Sequence, residues 1–217
     1  MANELTTDYV ATLRSEMLDY VPPTAKKILE IGCGRSLFAR ELKSRQPCSI
    51  TAIEPDPIMA EEARVDRDKL IIATAEQAIP DLPSNYFDCV VMNDVLEHLV
   101  DPWAILHMLR PKLAPGGCLV ASIPNMRFYP ALKGLVMHRN WEYEKSGVKD
   151  ITHLRFFTEM SIQSLFQSQG YRMEQLEGIN PRQDMPWKWS LLNWVLRGSI
   201  SDTQFPQFAC VARAQND

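Results

Sequence analysis

Short apolar runs alternate with stretches of helical periodicity along the first half of the chain. Runs rich in apolar and β-branched residues predict buried strands at 27–31, 49–53, 70–73, 87–92 and 118–123. Apolar positions recur at helical spacing at 37–42, 57–64 and 102–113, and an earlier helix is predicted at 5–20. Because a helix connects one strand to the next, the strands are expected to pair in parallel in an α/β fold.

The second half of the chain departs from this alternation in two places. Residues 125–155 carry no clean period, and residues 178–205 contain Trp187, Trp189 and Trp194. A helix is predicted at 158–169, with strands at 171–176 and 208–212. We expect residues 1–217 to form one domain in which the two insertions serve as an acceptor-site cap or an interface.

Composition and charge exclude several classes of protein. Of the 217 residues, 46% are hydrophobic and 23% are charged, which argues against a disordered or coiled-coil chain. Apolar stretches are too short to span a membrane, and the first residues lack a secretory signal. The net charge of −4 argues against a nucleic acid partner. Five scattered cysteines without a C-x-x-C pair predict reduced thiols, a cytoplasmic protein and no cysteine-based zinc site.

Residues with useful chemistry follow the predicted strands, where ligands bind in an open parallel sheet. Gly32 and Gly34 let the backbone turn closely around a ligand, and Glu54 ends a strand where a carboxylate can accept bonds from ribose hydroxyls. Leu37 replaces the third glycine of the dinucleotide fingerprint, and Glu30 suits a cation better than a pyrophosphate. A cationic nucleoside cofactor is therefore favoured over the nucleotide cofactor of an oxidoreductase.

Five segments in order resemble the motifs of the class I S-adenosylmethionine-dependent methyltransferases. They are ILEIGCGRS at 28–36, AIEPD at 52–56, ATAEQ at 73–77, FDCVVMNDVLEHLVDP at 87–102 and LAPGGCLVASIPN at 113–125. The DVLEHL sequence resembles the type 11/12 group, near the ubiquinone-biosynthesis O-methyltransferases. DITHLRFFT at 150–158 is similar to methyltransferases encoded among bacterial polysaccharide genes.

The resemblance implies a fold, a cofactor and a reaction. The fold would be a Rossmann-like, seven-stranded, mainly parallel sheet with helices on both faces and an antiparallel last strand. S-adenosyl-L-methionine would be the cofactor. The acceptor would be a small molecule, methylated on a hydroxyl of a sugar, a glycolipid precursor or a quinone-like intermediate. A non-catalytic S-adenosylmethionine-binding module is the alternative.

The resemblance also implies which residues contact the cofactor. The first motif would line its methionine part, Glu54 its ribose, the third motif its adenine, and the end of the fourth strand its sulfonium. Ser36 stands where the family commonly has a third glycine, and a serine can cap the helix that follows. The implied cofactor-binding residues are Glu30, Gly32, Cys33, Gly34, Ser36, Glu54, Pro55, Ala75, Glu76, Asn93 and Asp94.

Two histidines are candidate general bases for the deprotonation of an acceptor hydroxyl. His98 follows the fourth strand, where the acceptor is expected, and His153 lies in the DITHLRFFT segment. Arg155, together with Arg127 or Arg139, is the candidate site for an anionic part of the substrate. The alternative is that His153 and Arg155 form a structural hydrogen-bonded cluster with Asp150.

Two further patterns allow both a structural and a functional interpretation. Asp94, Glu97 and His98 resemble a metal-binding cluster of the ubiquinone-pathway relatives, but the electrostatics of a helix start explain them as well, and no metal is predicted. The apolar residues of 187–195 recur at helical spacing. They are expected to pack on their own domain, or to form a lid or a homodimer contact.

Overall fold

The structure is a computed structural model that describes residues 14–34 and 37–215. Strands and helices alternate along this part of the chain. The strands are β1 Lys27–Ile31, β2 Ser49–Glu54, β3 Lys69–Ile72, β4 Phe87–Asn93, β5 Leu113–Pro124, β6 Tyr171–Ile179 and β7 Gln207–Ala214. The α-helices are α1 Leu37–Arg45, α2 Pro57–Ala63, α3 Ala75–Ala78, α4 Pro102–Leu109, α5 Tyr129–Met137, α6 Glu159–Ser168 and α7 Trp187–Val195.

The strands form one seven-stranded sheet in the order β3-β2-β1-β4-β5-β7-β6. The pairs from β3 to β5 are parallel, and β7 lies antiparallel between β5 and β6. The chain moves outward from β1 to β3 and then returns to the other side of β1 with β4. The predicted Rossmann-like sheet with an antiparallel last strand is confirmed, and its topological switch point lies between β1 and β4.

Both faces of the sheet are covered by apolar side chains, as predicted. Leu29 of β1 belongs to the same buried cluster as Leu106 of α4 and Phe166 of α6. Its neighbour Ile28 belongs to a second cluster, together with Phe38 of α1. Because successive strand residues point to opposite faces, this division places helices on both sides of the sheet.

The boundaries differ from the sequence prediction in three regions. β5 begins at Leu113, so the predicted turn at 115–117 lies inside this strand. α5 lies within the first insertion, where no helix was predicted, because it buries only Ala131 and so shows no regular apolar face. Of the helix predicted at 5–20, residues 1–13 lie outside the described part of the chain, and Ser15–Tyr20 forms a 3-10 helix.

Asn125, at the end of β5, joins the two insertions. Its side-chain amide group donates hydrogen bonds of 2.9 Å to the carbonyl oxygens of Asp202 and Phe205, both in or near the second insertion. Its side-chain oxygen accepts a 2.9 Å bond from the backbone of Arg127, in the first insertion. The Asn125 side chain is fully buried, so water does not compete for these three hydrogen bonds.

We predict that Asn125→Ala destabilises the protein by about 2–3 kcal/mol, because it removes three hydrogen bonds made by a fully buried side chain. Urea denaturation measures the change in the free energy of unfolding. Asn140→Ala is the matched control: this asparagine is exposed, so its removal should change stability by less than about 0.5 kcal/mol. Equal stability of the two variants would contradict the role assigned to Asn125.

Candidate active site

A cavity of about 530 Å³ opens at the carboxyl ends of the central strands, at the switch point between β1 and β4. Residues from the β1 turn, the end of β2, the start of α3 and the end of β4 line it. Of the predicted cofactor-binding residues, those that line the cavity are Glu30, Gly32, Cys33, Gly34, Glu54, Pro55, Ala75, Glu76, Asn93 and Asp94. Ser36 lies outside the described residues.

A tight turn after β1 forms one wall of the cavity. Gly32 has a φ of +69° and Gly34 a φ of +49°, a region that glycine adopts without strain. A Cβ atom on Gly32 would lie 2.6 Å from Cγ2 of Val95, so a side chain would not fit there. The backbone amide of Gly32 donates a 2.9 Å bond to Ile53, which ties the turn to β2. The first glycine is therefore required by both its conformation and its neighbours.

Glu54 links the end of β2 to the glycine turn. Its carboxylate accepts a 2.8 Å bond from the Gly34 amide through Oε2 and a 3.0 Å bond from the Asp56 amide through Oε1. Burial raises the pKa of Glu54, and these two amides oppose the rise. The carboxylate is thus held in one orientation beside the turn before any ligand binds.

Glu30 has a partner that the sequence did not indicate. Nη2 of Arg67 lies 2.7 Å from Oε2 of Glu30, and both side chains are buried. Nη1 of the same arginine donates to the carbonyl of Ala63. Burial raises the pKa of Glu30, and the guanidinium opposes that rise. Arg67 follows α2 at no recognisable motif position, so only the three-dimensional structure reveals this ion pair.

Asp94 is held by contacts with distant parts of the chain. Arg14 forms an ion pair with its Oδ2, while Ser122 and Gln207 donate bonds of 2.9 and 2.8 Å to its Oδ1. Its backbone has a φ of +53°. The side-chain oxygen of the preceding Asn93 is buried and has no hydrogen-bond partner among the described residues. The side-chain oxygen of Asn93 can therefore accept a hydrogen bond from a ligand, whereas both carboxylate oxygens of Asp94 already have partners in the protein.

The residues lining the cavity fit a cationic nucleoside such as S-adenosylmethionine. The lining carries four carboxylates, of which Glu30 pairs with Arg67 and Asp94 with Arg14. Glu54 and Glu76 are the two outside these ion pairs in the described part of the chain. Asn93 adds the unpartnered buried acceptor, which suits a donor group of a ligand. Gly32 leaves room for a close approach to the backbone. Charge, hydrogen-bonding capacity and space thus agree with the predicted cofactor.

The DITHLRFFT segment packs against the end of β4. The amides of Leu154 and Arg155 donate bonds of 2.8 and 2.9 Å to the carbonyl oxygen of Glu97. Nδ1 of His98 lies 3.3 Å from the carbonyl oxygen of Thr152 and 3.2 Å from its hydroxyl. Two segments far apart in the sequence are therefore joined at the edge of the cavity.

The two candidate bases lie in contact but occupy different positions. The ring centroids of His98 and His153 are 4.8 Å apart, in an edge-to-face arrangement. His98 lines the cavity together with Thr152. The side chain of His153 is only 1% exposed, and it lies behind His98 among buried groups. The sequence put His153 first as the candidate base, whereas His98 is the one of the two that lines the cavity.

Glu97 faces His153 in this buried cluster. Oε1 of Glu97 lies 4.0 Å from Nε2 of His153, and neither carboxylate oxygen has a hydrogen-bond partner in the described part of the chain. Burial raises the pKa of Glu97 and lowers the pKa of His153 to about 4. Burial therefore favours the uncharged form of both side chains.

The possible metal ligands differ from those suggested by the sequence. Glu97, His98 and His153 each offer a ligand atom, and these atoms all lie within 4.8 Å of one another. Asp94 does not belong to this group, because its carboxylate is bonded to Arg14 and its other partners. An imidazole on the DITHLRFFT segment thus takes the place expected for the first acidic residue of the trio.

The three candidate substrate-binding arginines do not line the cavity. Arg127 pairs with the Asp202 carboxylate at 2.7 Å and also bonds to the carbonyl of Ser199, which links it to the second insertion. Arg155 bonds to the carbonyl of Val100. Arg139 is exposed after α5. Two of these guanidinium groups are therefore used within the protein, and none of the three lies at the cavity.

Comparison with known proteins identifies the family. A model of the family described as "Methyltransferase domain" matches residues 3–176. The ubiquinone biosynthesis O-methyltransferase of Xylella fastidiosa strain 9a5c is 34% identical over 117 residues, which cover 50% of this chain and 47% of the relative. The protein of the same name from Xanthomonas campestris pv. campestris strain B100 is 32% identical over 117 residues, covering 50% of this chain and 48% of that relative. The chain thus spans about half the length of these curated relatives.

Solved structures share the fold over nearly the whole chain. A S-adenosylmethionine-dependent methyltransferase from Archaeoglobus fulgidus aligns with a TM-score of 0.67 at 18% identity, covering 91% of each chain. One from Mesorhizobium loti aligns with a TM-score of 0.65 at 16% identity, covering 92% of this chain and 96% of the other. The family match and the sheet topology lead to one conclusion: the chain belongs to the methyltransferase-domain family, within the class I S-adenosylmethionine-dependent methyltransferases.

Proposed function

We propose that this protein transfers the methyl group of S-adenosylmethionine to a hydroxyl of a small molecule, with a sugar, a glycolipid precursor or a quinone-like intermediate as the acceptor class. The supporting observation is that His98 and the glycine turn line the same cavity. A cofactor on the turn would therefore share one space with a potential base. The net charge of −4 favours a small acceptor over a nucleic acid.

The curated relatives support the choice of a hydroxyl acceptor, since those we compared are named O-methyltransferases. The free state of Cys33, Cys48, Cys89, Cys118 and Cys210 supports a reducing compartment such as the cytoplasm. The identity of the acceptor would be set by the two insertions, of which the first contributes Thr152 to the cavity lining beside His98.

Cofactor binding is assigned to groups already fixed in position. Glu54, held by two backbone amides, would accept hydrogen bonds from the ribose hydroxyls. The unused oxygen of Asn93 would accept a bond from the methionine part, near the glycine turn. When bound, the cofactor supplies a methyl group on a positively charged sulfur. Holding this methyl and the acceptor in line can contribute about 7–11 kcal/mol toward lowering the barrier.

His98 is the proposed general base, and its hydrogen bonds define which nitrogen is basic. The hydroxyl of Thr152 donates its proton to Oδ1 of Asp150 at 2.6 Å, so toward His98 it acts as an acceptor. The carbonyl of Thr152 can only accept. Nδ1 of His98 must therefore carry the hydrogen, which leaves Nε2 to take the proton of the acceptor hydroxyl as its oxygen is methylated.

His153 and Glu97 are assigned a positioning role behind the base. The two imidazoles pack edge to face, and His153 and Glu97 are both buried. His153 was the first candidate base from the sequence, whereas its burial favours His98 as the group that meets the acceptor. A base within reach of the acceptor typically increases the rate by about 10²–10⁴.

We predict that Glu54→Gln weakens S-adenosylmethionine binding at least about tenfold, because one amide-bonded carboxylate oxygen is replaced by a donor that repels the amides. Isothermal titration calorimetry with S-adenosylmethionine and S-adenosylhomocysteine measures both affinities. Glu41→Gln is the control and should bind as the wild type does, because this half-buried residue of α1 does not line the cavity. Unchanged affinity in Glu54→Gln would remove Glu54 from the ribose site.

We predict that His98→Ala lowers methyl transfer by about 10²–10⁴ while cofactor affinity stays within a few-fold. Labelled methyl incorporation into a panel of sugar, glycolipid and quinone precursors and into cell extract measures the transfer. His107→Ala, an exposed histidine on α4, is the matched control. If the wild type binds the cofactor but labels nothing, the non-catalytic binding module is the better description.

The same assay separates a base from a metal site. If His98 acts as a base without a metal, EDTA or added Mg²⁺ should leave the wild-type rate unchanged. Loss of activity with EDTA that Mg²⁺ restores would instead assign Glu97, His98 and His153 to a metal.

We predict an acidic limb of the turnover profile below pH 6.5. Burial lowers the pKa of His98 from its usual value near 6.5, while the Thr152 carbonyl and nearby carboxylates oppose the shift. A base must be unprotonated to act, so activity should stay constant above that value and fall only as the pH drops through the lowered pKa. Turnover measured from pH 4 to 9 gives this limb. A limb above pH 6.5 would contradict the assignment.

A further inference from the structure

α7 presents an apolar surface to solvent. Trp187, Leu191, Trp194 and Val195 recur at positions i, i+4, i+7 and i+8, and their exposed fractions are 72%, 55%, 78% and 59%. No residue of this helix is buried. A surface helix normally turns its apolar stripe toward the core, so this arrangement is the reverse of the usual one.

The outward orientation is fixed by contacts on the opposite side of the helix. Nε1 of Trp189 donates a 2.9 Å bond to the hydroxyl of Thr203. The side-chain oxygen of Asn193 accepts a 3.3 Å bond from the Ile200 amide. Trp189 and Asn193 are four residues apart and share one helix face. These two bonds hold the face of α7 that carries Trp189 and Asn193 against residues 200–203. The opposite, apolar face is therefore exposed to solvent.

The segment that carries this surface is positively charged within a chain of net charge −4. Residues 185–201 contain Lys188 and Arg197 and no aspartate or glutamate. Both cations are exposed: Lys188 lies within α7, directly after Trp187, and Arg197 lies just beyond the end of the helix. An apolar helix face with tryptophans and flanking cations is the pattern of a helix that lies in the surface of an anionic membrane.

We propose that α7 docks the protein on an anionic lipid surface, with Trp187, Leu191, Trp194 and Val195 inserted among the lipids. This is a peripheral contact. None of the helices described is long and apolar enough to cross a membrane. The nine residues of α7 span only roughly 13 Å, against the roughly 30 Å of a bilayer core. The proposal concerns binding alone and is independent of the methyl acceptor.

Charge favours a lipid surface over a second copy of the chain. If two α7 helices packed together, Lys188 and Arg197 of both copies would meet, and the segment 185–201 offers no carboxylate to pair with them. Anionic headgroups would pair with both cations while the tryptophans occupy the boundary between headgroups and acyl chains. An anionic membrane thereby buries the apolar face of α7 and pairs with both of its cations.

The test is co-flotation of the full chain with vesicles of equimolar phosphatidylcholine and phosphatidylglycerol, with phosphatidylcholine vesicles in parallel. The wild type should bind the anionic vesicles, and the bound fraction should fall as the salt concentration rises. A double change of Leu191 and Trp194 to Ser should reduce binding at least about tenfold, because the inserted apolar area is lost. Changing Lys188 and Arg197 to Gln should reduce it roughly 30-fold, since each cation near the surface contributes about 1 kcal/mol.

Met160→Ser is the matched control, because this methionine is 80% exposed on α6, away from α7 in the sequence. It should bind vesicles as the wild type does. Circular dichroism and cofactor calorimetry verify that each variant is folded. Wild-type protein that stays unbound on anionic vesicles at low salt overturns the proposal. So does a wild-type dimer in light scattering that becomes monomeric in the Leu191 and Trp194 variant, which would assign this face to a second copy.

Discussion

The hydrogen bonds from the Leu154 and Arg155 amides to the Glu97 carbonyl are the constraint on which the candidate active site depends. They attach a segment far along the chain to the end of β4, and so bring Thr152 and His153 to His98. Neither segment alone places two imidazoles and a carboxyl group in one buried cluster. The cofactor side, by contrast, is built locally, from the turn after β1 and the end of β2.

Local pattern predicted the parallel strands and the edge of the sheet where a ligand would bind. The antiparallel last strand and the cofactor came from the resemblance to known methyltransferases. Apolar runs separated by helical stretches require parallel strands, and the carboxyl ends of such strands meet at one edge. Gly32, Glu54 and Asn93 therefore lie together as expected, although they are far apart in sequence. α5 was missed because a helix that buries one residue leaves no periodic signal.

The pairings between charged groups were not predictable in the same way. Arg67 with Glu30 and Arg14 with Asp94 join residues whose spacing follows no motif, and each pair depends on how whole elements pack. The same limit applies to the acceptor side. Sequence identified His98 and His153 as candidates, but only the packing of one ring behind the other distinguishes the residue at the cavity from the residue beneath it.

The side-chain amide of Asn125 is hydrogen-bonded to both insertions at once. A lengthening or shortening of either insertion must preserve that residue's partners, whereas the glycine turn and the β2 carboxylate are untouched by such a change. The two insertions are thus coupled through one side chain, and the nucleoside-binding half of the cavity does not depend on it. Grafting one insertion without the other is the less promising route to a new specificity.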